Sequence, residues 1–257
     1  MGNEKQPLIL ITNDDGYQAG GIKALAGVAR DYGQVVVCAP LTMQSGKSNA
    51  VTVYDPLRAL PVSQEPGMTV LAVNGTPTDC VKLALGDLLD GRTPTLVLSG
   101  INHGFNLGTN TLYSGTMGAA FEAAIHHLPA VALSYGCYDP DADFTQCLPI
   151  VRQMIELALA KGLPKDVCLN VNIPKVDEIK GIKVTTTAMG YWVGEYERRV
   201  DPHQMPYYWA AGSYAPDDPA DESTDVWATN HGYVAVTPCR ADQTARQDLV
   251  AIGEMLR

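Results

Sequence analysis

Short apolar runs alternate with amphipathic stretches of helical length along most of the chain. The apolar runs predict buried strands at Leu8–Thr12, Gln34–Cys38, Thr69–Val73, Thr95–Leu98, Ala130–Ser134 and Val167–Val171. The stretches between them predict helices at Gly21–Asp31, Asp79–Leu89, Thr116–His127 and about Phe144–Lys161. Strands that alternate with helices are typical of a mostly parallel sheet with helices on both faces. The pattern therefore predicts an α/β protein whose ligands bind beyond the carboxyl ends of the strands.

The character of the sequence changes after residue 189. Gly190–Asp225 is rich in aromatic and turn-forming residues and has little helical periodicity, which predicts an extended arm or β-hairpin. Six of the 12 tyrosines and all three tryptophans lie between Tyr191 and Tyr233, a distribution that suits a contact surface. A final helix is expected over Ala241–Leu256. We therefore predict a core over residues 1–189. Residues 190–257 are predicted to form an arm, a returning segment and a C-terminal helix that serve oligomerisation without making an independent domain.

Composition narrows the possible classes of protein. Of the 257 residues, 46% are hydrophobic and 18% are charged, which excludes disordered, collagen-like and low-complexity chains. The 18 Lys and Arg residues against 28 Asp and Glu residues give a net charge of −10, so nucleic acid is not expected to be the main partner. A bound anion would need a local cation or a helix N-terminus to overcome this charge. That requirement points to a metal.

Cysteine usage and hydropathy bear on the compartment. No apolar run approaches the ~20 residues that cross a bilayer, so no association with a membrane is predicted. The six cysteines include no Cys-x-x-Cys pair, and several lie in apolar runs such as VVVCAP. They are expected to be reduced, which predicts a cytoplasmic protein.

Several common catalytic and nucleotide-binding motifs are absent from the sequence. No two of the 24 glycines are separated by a single residue, so Gly-x-Gly-x-x-Gly cannot occur. The tripeptide Gly46-Lys47-Ser48 lacks the earlier glycine of a P-loop, since that position is Leu41. None of the eight serines lies in a nucleophile elbow, and His-Glu-x-x-His is absent. A standard dinucleotide site is therefore not expected, and a P-loop, the nucleophile elbow of the α/β-hydrolases and a zincin site are excluded.

Two adjacent carboxylates follow the first predicted strand. Leu8–Thr12 runs directly into Asn13-Asp14-Asp15-Gly16. A simple turn is one interpretation, because Asn, Asp and Gly are common turn formers. Two negative charges side by side are costly in a partly buried crevice, and a divalent cation would offset them. The position at the carboxyl end of a strand favours the metal site.

Three further segments should meet at the same edge of the sheet. The polar loop LTMQSGKSNAVT offers Ser45 or Ser48 as a neutral oxygen ligand, although most loop serines are only solvated. The loop SGINHGFNLG is long and rich in glycine and asparagine, as functional loops often are. Ser114, Gly115 and Thr116 open a predicted helix, where free N–H groups and the helix dipole would bind a phosphate. Helix capping by Ser114 or Thr116 is compatible with that role.

Two neighbouring features have simpler explanations. The loop Asn74–Asp79 favours a helix cap, with shaping of the pocket as the alternative. His103 is the one histidine close to the predicted pocket, and we do not expect it to transfer a proton.

These motifs resemble, in order and over about residues 8–238, those of the survival protein SurE family of metal-dependent nucleotidases. The matching segments are LITNDDG, SGKSNAVT, VNGTPTDCVKLAL, SGINHGFNLG, YSGTMGAAFEA and TDVWATNHGYVAVTP. The resemblance implies a Rossmann-like, three-layer α/β/α core with a C-terminal arm exchanged between the subunits of a homodimer, sometimes of a tetramer. It also implies hydrolysis of nucleoside monophosphates at the 5′ or 3′ position, with short polyphosphates accepted by some members.

The resemblance carries the site over position by position. The implied ligands, which would hold one Mg²⁺ or Mn²⁺ per subunit, are Asp14, Asp15, Ser45 and Asn102. The implied phosphate contacts are Asn106, Ser114, Gly115 and Thr116. Asp14 and Asp15 are also the expected catalytic residues. Either one would accept a proton from the attacking water, and an aspartyl-phosphate intermediate is the other possibility.

One position departs from the family pattern. The family often has an acidic residue three positions before the tyrosine of YSGT, whereas this chain has Asn110 before Tyr113. The substitution removes a charge near the predicted pocket and leaves the four implied ligands in place. We expect an effect on substrate preference or on local geometry.

Three hypotheses follow. The first is a phosphomonoesterase that acts on nucleotides. The second is a nucleotide-binding or sensing protein that holds its ligand without turning it over, and the third is a metal-dependent transferase of sugar nucleotides. Hydrolysis of an aryl phosphate would separate the first from the second, and dependence on a sugar nucleotide would identify the third.

Overall fold

The structure, a computed structural model, describes residues 6–139 and 141–257. The strands in these residues are β1 (Leu8–Thr12), β2 (Gln34–Pro40), β3 (Ala59–Glu65), β4 (Met68–Val73), β5 (Leu96–His103), β6 (Ala130–Tyr135), β7 (Cys168–Ile173), β8 (Ile182–Val184), β9 (Gly190–Val193), β10 (Tyr196–Val200), β11 (Pro206–Ala210), β12 (Ser213–Pro216) and β13 (Val234–Cys239). The α-helices are α1 (Gly20–Ala29), α2 (Pro77–Leu83), α3 (Gly115–Ile125), α4 (Leu148–Lys161), α5 (Asp225–Asn230) and α6 (Leu249–Met255).

The main sheet confirms the predicted α/β class. Its strand order is β3-β4-β2-β1-β5-β6-β7-β13-β8. The six strands from β4 to β7 in this order run parallel to one another. β3 pairs antiparallel with β4, and β13 pairs antiparallel with β7. The carboxyl ends of the parallel strands therefore share one edge, where the predicted site residues were expected.

Helices cover both faces of the sheet, as the continuous apolar runs predicted. Ile9 and Ile11 of β1 pack in a core with α1 and α4, whereas Leu8 and Leu10 pack with α2 and α3. Successive residues of a strand point to opposite faces, so a strand buried on both sides needs apolar residues at every position. The result is the Rossmann-like, three-layer α/β/α arrangement.

The loop before α2 has the structural role that the sequence favoured. The Thr76 hydroxyl accepts a hydrogen bond from Asp79 N (3.1 Å), and the Asp79 carboxylate accepts one from Thr76 N (2.9 Å), which is a capping box. The same carboxylate accepts two hydrogen bonds from Thr52. Thr52 ends the polar loop of residues 41–52, which we call the serine-rich loop. α2 begins at Pro77, two residues before the predicted start, and changes to a π-helical turn at Ala84–Leu88.

The predicted arm is a long hairpin made of two ribbons in series. β9 pairs with β12, and we call this pair the base ribbon; β10 pairs with β11, and we call this pair the tip ribbon. Every residue of the tip ribbon is exposed, including Tyr207, Tyr208 and Trp209. Three of the four residues of β12 are half-buried. The arm therefore has an attached base and a projecting tip.

The chain returns from the arm into the main sheet. α5 follows the arm, and β13 then enters between β7 and β8. The division at residues 189 and 190 stays a prediction, and the returning segment contributes a strand to the core sheet.

The predicted helix over Ala241–Leu256 is wrong in its first half. The Asp242 side chain accepts a hydrogen bond from Thr244 N (3.0 Å), a local turn that competes with helix formation. A 3-10 turn at Arg246–Asp248 leads into α6. Within the described ranges, no helix has the length and apolar character needed to cross a bilayer.

Helix α1 packs so closely on β5 that a Cβ atom at Gly21 would lie 1.9 Å from the Ile101 carbonyl oxygen. Gly21→Ala should therefore lower the free energy of unfolding by about 1–3 kcal/mol, measured by urea denaturation. Gly27 lies on the same helix with open space around it, so Gly27→Ala is the matched control. It should raise the free energy of unfolding by up to about 1 kcal/mol. Equal effects of the two substitutions would contradict this packing.

Candidate metal and phosphate site

Asp14 and Asp15 lie where β1 ends, and three other segments converge on them. Thr116 Oγ1, in the first turn of α3, donates a hydrogen bond to Asp14 Oδ1 (2.5 Å). The backbone N–H of His103, at the end of β5, donates to Asp15 Oδ2 (3.1 Å). The N–H of Gln44, in the serine-rich loop, donates to the Asp14 carbonyl oxygen (2.7 Å). The predicted convergence at one edge of the sheet is present.

Asp14 is the more enclosed of the two carboxylates, with 3% of its surface exposed. Burial raises its pKa above the ordinary value, and the hydrogen bond from Thr116 and the backbone N–H groups of Gly115 and Thr116 oppose the shift. The first turn of α3 presses directly on this side chain, because a Cβ atom at Gly115 would lie 2.9 Å from Asp14 Cβ. Glycine at position 115 therefore permits the close approach of the helix N-terminus.

Asp15 is less enclosed but repelled by its neighbour. Burial and the adjacent Asp14 carboxylate raise the pKa of Asp15 from 3.8 to about 6, while the His103 N–H opposes the shift. Within the described residues, neither carboxylate forms an ion pair with a basic side chain. The pair therefore lacks the positive charge that a divalent cation would supply.

Asn102 offers a third oxygen. Its side chain is almost fully buried, and its Nδ2 donates to the carbonyl oxygens of Gly104 (2.9 Å) and His103 (3.3 Å). With both N–H groups engaged, Oδ1 is the atom left to accept. Two carboxylates and an amide oxygen are hard ligands of the kind that Mg²⁺ and Mn²⁺ prefer. The donor set therefore fits the predicted cation.

The two candidate serines, Ser45 and Ser48, lie in different environments. Ser45 is exposed and follows Gln44, whose N–H is bonded to Asp14. Ser48 is engaged elsewhere, because its Oγ donates to the Leu112 carbonyl oxygen (2.5 Å) and its N–H donates to that of Tyr113 (3.0 Å). Ser45 is therefore the better candidate for a ligand, and its role stays a prediction.

Two of the predicted phosphate contacts also have partners inside the protein. Ser114 caps α3, since its Oγ accepts a hydrogen bond from Met117 N (3.1 Å), as the capping interpretation expected. Thr116 donates its hydroxyl to Asp14, a contact that the sequence analysis did not predict. The first turn of α3 thus lies against the carboxylate pair, with Gly115 at the point of contact.

Asn106 belongs to a buried asparagine network. Its Nδ2 donates to Ser134 Oγ (2.9 Å), its backbone N–H donates to Asn172 Oδ1 (2.8 Å), and its carbonyl oxygen accepts from Asn170 Nδ2 (2.8 Å). Ser134 is the last residue but one of β6, and the two asparagines lie on β7, so this network ties the loop to two strands. Sequence analysis missed these partners, although polar residues inside apolar strands were a signal. A phosphate contact of Asn106 stays a prediction.

Buried polar atoms without partners lie along the same strand ends. Four side-chain oxygens in the described residues accept or donate no hydrogen bond, namely those of Thr12, Asn13, Thr78 and Ser99. Thr12 and Ser99 are directly opposed in the β1–β5 register. Such groups cost about 1–3 kcal/mol each when left unpaired, so a polar ligand that satisfied any of them would stabilise the fold.

The raised pKa of Asp15 predicts a cost in stability. The folded protein holds this proton more tightly than the unfolded chain, so ionisation destabilises the fold fully above about pH 6 and not below pH 3.8. With a chelator present, Asp15→Asn should raise the melting temperature by about 5 °C at pH 8 and much less at pH 4.5. Substitution of the exposed Asp177 by Asn is the matched control. An equal gain at both pH values would contradict this electrostatic account.

Comparisons with known proteins agree with the fold and the motifs. The profile of the family described as survival protein SurE matches residues 9–194. The protein named 5′-nucleotidase SurE from Bacteroides thetaiotaomicron is 45% identical over 243 residues, which cover 94% of this chain and 93% of the relative. Its namesake from Thermoanaerobacter sp. is 42% identical over 237 residues, covering 92% and 93%. The crystal structure of the SurE protein from Aquifex aeolicus superposes with a TM-score of 0.84 at 36% identity and covers 98% of this chain and 100% of that one. The chain belongs to the SurE family.

Proposed function

We propose that the protein is a metal-dependent phosphomonoesterase that hydrolyses nucleoside 5′-monophosphates to nucleoside and phosphate. The observation that carries this proposal is the pair of neighbouring carboxylates, Asp14 and Asp15, which lies against the N-terminus of α3 and has no basic partner among residues 6–139 and 141–257. The relatives named 5′-nucleotidase support the substrate class, since they align over more than nine tenths of the chain.

In this proposal one Mg²⁺ or Mn²⁺ per subunit is held by Asp14, Asp15, Asn102 and Ser45. When bound, the cation supplies the positive charge that the phosphate and the transition state require. The two carboxylates of the set balance the charge of a divalent cation, so the phosphate dianion would meet a centre without net negative charge. Because the chain carries a net charge of −10, an anionic substrate needs such a local source of positive potential, which the cation and the N-terminus of α3 would supply together.

The chain's own groups bind and orient the phosphate. The backbone N–H groups of Gly115 and Thr116, in the first turn of α3, lie against the Asp14 carboxylate, and this helix N-terminus suits phosphate oxygens bound beside it. Ser114 fixes this turn through its cap, and Asn106 is held by its buried network at the ends of β6 and β7. The phosphate would thus be bound by the first turn of α3 and by Asn106, both of which are held in place by hydrogen bonds within the protein, and this favours the fixed geometry that hydrolysis needs.

Asp15 is the better placed of the two carboxylates to accept a proton from water. The enclosed Asp14 is bonded to Thr116 through one oxygen, whereas Asp15 is more exposed and uses one oxygen for the His103 N–H. We assign proton acceptance to the second oxygen of Asp15, Oδ1.

The test is phosphate release from a panel of 5′- and 3′-nucleoside monophosphates, an aryl phosphate and a short polyphosphate. We expect release from 5′-monophosphates with Mg²⁺ or Mn²⁺ and none with a chelator. Asp14→Asn should lower kcat/KM at least about a hundredfold, while the control Asp177→Asn should leave it unchanged. Metal-independent release by Asp14→Asn would overturn the proposal. Tight nucleotide binding without turnover by the unaltered protein would identify a sensor instead.

We further propose that the tip ribbon joins two copies of the chain. Exposed aromatic side chains cluster there, including Tyr208 and Trp209, which are 58% and 59% exposed. Contiguous exposed apolar surface of this kind marks contact sites. All six cysteines are free and five are buried, which supports a reducing compartment such as the cytoplasm.

Removal of the tip ribbon should separate the copies without unfolding the core. Deleting residues 195–211 joins Gly194 to Gly212 between Val193 and Ser213, which are paired across the base ribbon. Both glycines already have positive φ (+64° and +84°), as a two-residue type I′ turn requires. We expect a monomer by light scattering with a retained melting transition, whereas the unaltered chain forms a dimer. An unchanged oligomer would contradict the assignment.

A further inference from the structure

The 3-10 turn Gly108–Leu112 connects the glycine-rich loop to the cap of α3, and the proposed chemistry does not use its side chains. It nevertheless makes contacts with the base ribbon and with α5 at three consecutive residues. The turn precedes Tyr113 and Ser114 directly. Its position therefore controls where the first turn of α3 begins.

The Tyr214 hydroxyl, on β12, lies at the centre of these contacts. It accepts a hydrogen bond from Thr109 N (3.2 Å) and donates one to the Ala188 carbonyl oxygen (2.9 Å). Thr109 Oγ1 in turn donates to the Gly190 carbonyl oxygen (2.9 Å). One hydroxyl thus joins the turn to the root of the arm.

Gly108 permits this arrangement. Its φ is +55°, and an added Cβ atom would lie 2.5 Å from the Tyr214 hydroxyl oxygen, so a larger residue would displace the tyrosine. The buried Asp225 carboxylate accepts hydrogen bonds from Gly108 N (2.8 Å) and Ala188 N (3.0 Å). The same two segments are therefore tied together a second time, by the residue that begins α5.

Asn110 makes the third contact. Its Oδ1 accepts a hydrogen bond from Trp192 Nε1 (2.6 Å), on β9. The amide oxygen of Asn110 accepts this hydrogen bond from the indole as a carboxylate oxygen would, and it adds no negative charge. The departure from the family pattern at position 110 therefore keeps an acceptor for the base ribbon.

The turn Gly108–Leu112 positions segments on both sides of the site. Ser48 of the serine-rich loop donates to the carbonyl oxygens of Leu112 and Tyr113, so the loop follows the turn. On the other side, Ser114 caps α3, whose Thr116 is bonded to Asp14. A site of this kind tolerates displacements of only about 0.5 Å.

We propose that Tyr214 is a positioning residue, and that the base ribbon holds the turn Gly108–Leu112 so that the first turn of α3 meets Asp14 in the geometry that hydrolysis needs. The inference rests on the proposed function for its consequence in catalysis, although the contacts themselves can be tested without turnover. The arm then contributes to the site of its own chain besides any role in assembly.

Tyr214→Phe removes one oxygen atom and leaves the ring in place. We expect kcat for a nucleoside 5′-monophosphate to fall about tenfold with KM changed less than about twofold. Inhibition by vanadate, which mimics the transition state, should weaken by the same factor as kcat. Tyr191→Phe on the same ribbon is the matched control, because that side chain is 67% exposed, and it should match the unaltered protein in all three measurements.

Hydrogen exchange supplies a readout that does not depend on activity. In metal-free protein, peptides covering residues 107–117 should exchange about tenfold faster in Tyr214→Phe than in Tyr191→Phe, because Thr109 N loses its acceptor. Melting temperature and oligomeric state should agree between the two variants. Thr109→Val combined with Tyr214→Phe should lose less activity than the sum of the two separate losses, since the two hydroxyls lie 3.2 Å apart and attach the same turn to the base ribbon.

The possible outcomes separate this inference from the proposed function. Unchanged exchange in residues 107–117 would overturn the inference, whatever the activity. Faster exchange with an unchanged kcat would also overturn it, because the ribbon would then hold the turn without any effect on the site. If the unaltered protein hydrolyses no phosphate ester, the proposed function fails, and the exchange experiment still decides whether Tyr214 positions the turn.

Discussion

The repulsion between two neighbouring carboxylates at the end of β1 is the constraint on which the rest of the site depends. Asp14 and Asp15 are held together by the chain itself, and within the described residues no basic side chain neutralises them. Their environment is built from hydrogen-bond donors instead: the Thr116 hydroxyl, the N–H groups that open α3 and the His103 N–H. These groups moderate the charge without cancelling it, so the centre stays ready for a cation and an anionic substrate.

Much of this arrangement could be predicted because strand ends and helix starts leave strong signals. The run LILIT is apolar at its first four positions and buried throughout, and its predicted bounds agree with β1. Only Asn13 separates this run from Asp14 and Asp15, so their place at the sheet edge required no knowledge of tertiary contacts. Ser114 could be assigned to the start of α3 because its hydroxyl suits a cap. The local pattern left Ser45 and Ser48 as alternatives, and the family motifs then selected Ser45 and added Asn102 as implied ligands.

Other features depend on contacts between distant parts of the chain. The network around Asn106 uses Ser134, Asn170 and Asn172, and their partners lie up to 66 residues away. β3 is mostly exposed and interrupted by a bulge, so its sequence lacks the periodicity of a buried strand. The insertion of β13 between β7 and β8 is a property of the whole sheet. The contact of Tyr214 with Thr109 likewise joins residues whose separation along the chain hides their proximity.

The two ends of the arm are rooted in adjacent strands, since the chain leaves through β8 and comes back through β13. The arm is therefore attached to the core through the pairing of β8 with β13. It is also attached through the hydrogen bonds that Tyr214 and Trp192 make with the turn Gly108–Leu112. A displacement of the arm would thus reach this turn, which leads into α3, through the hydrogen bonds of Tyr214 and Trp192.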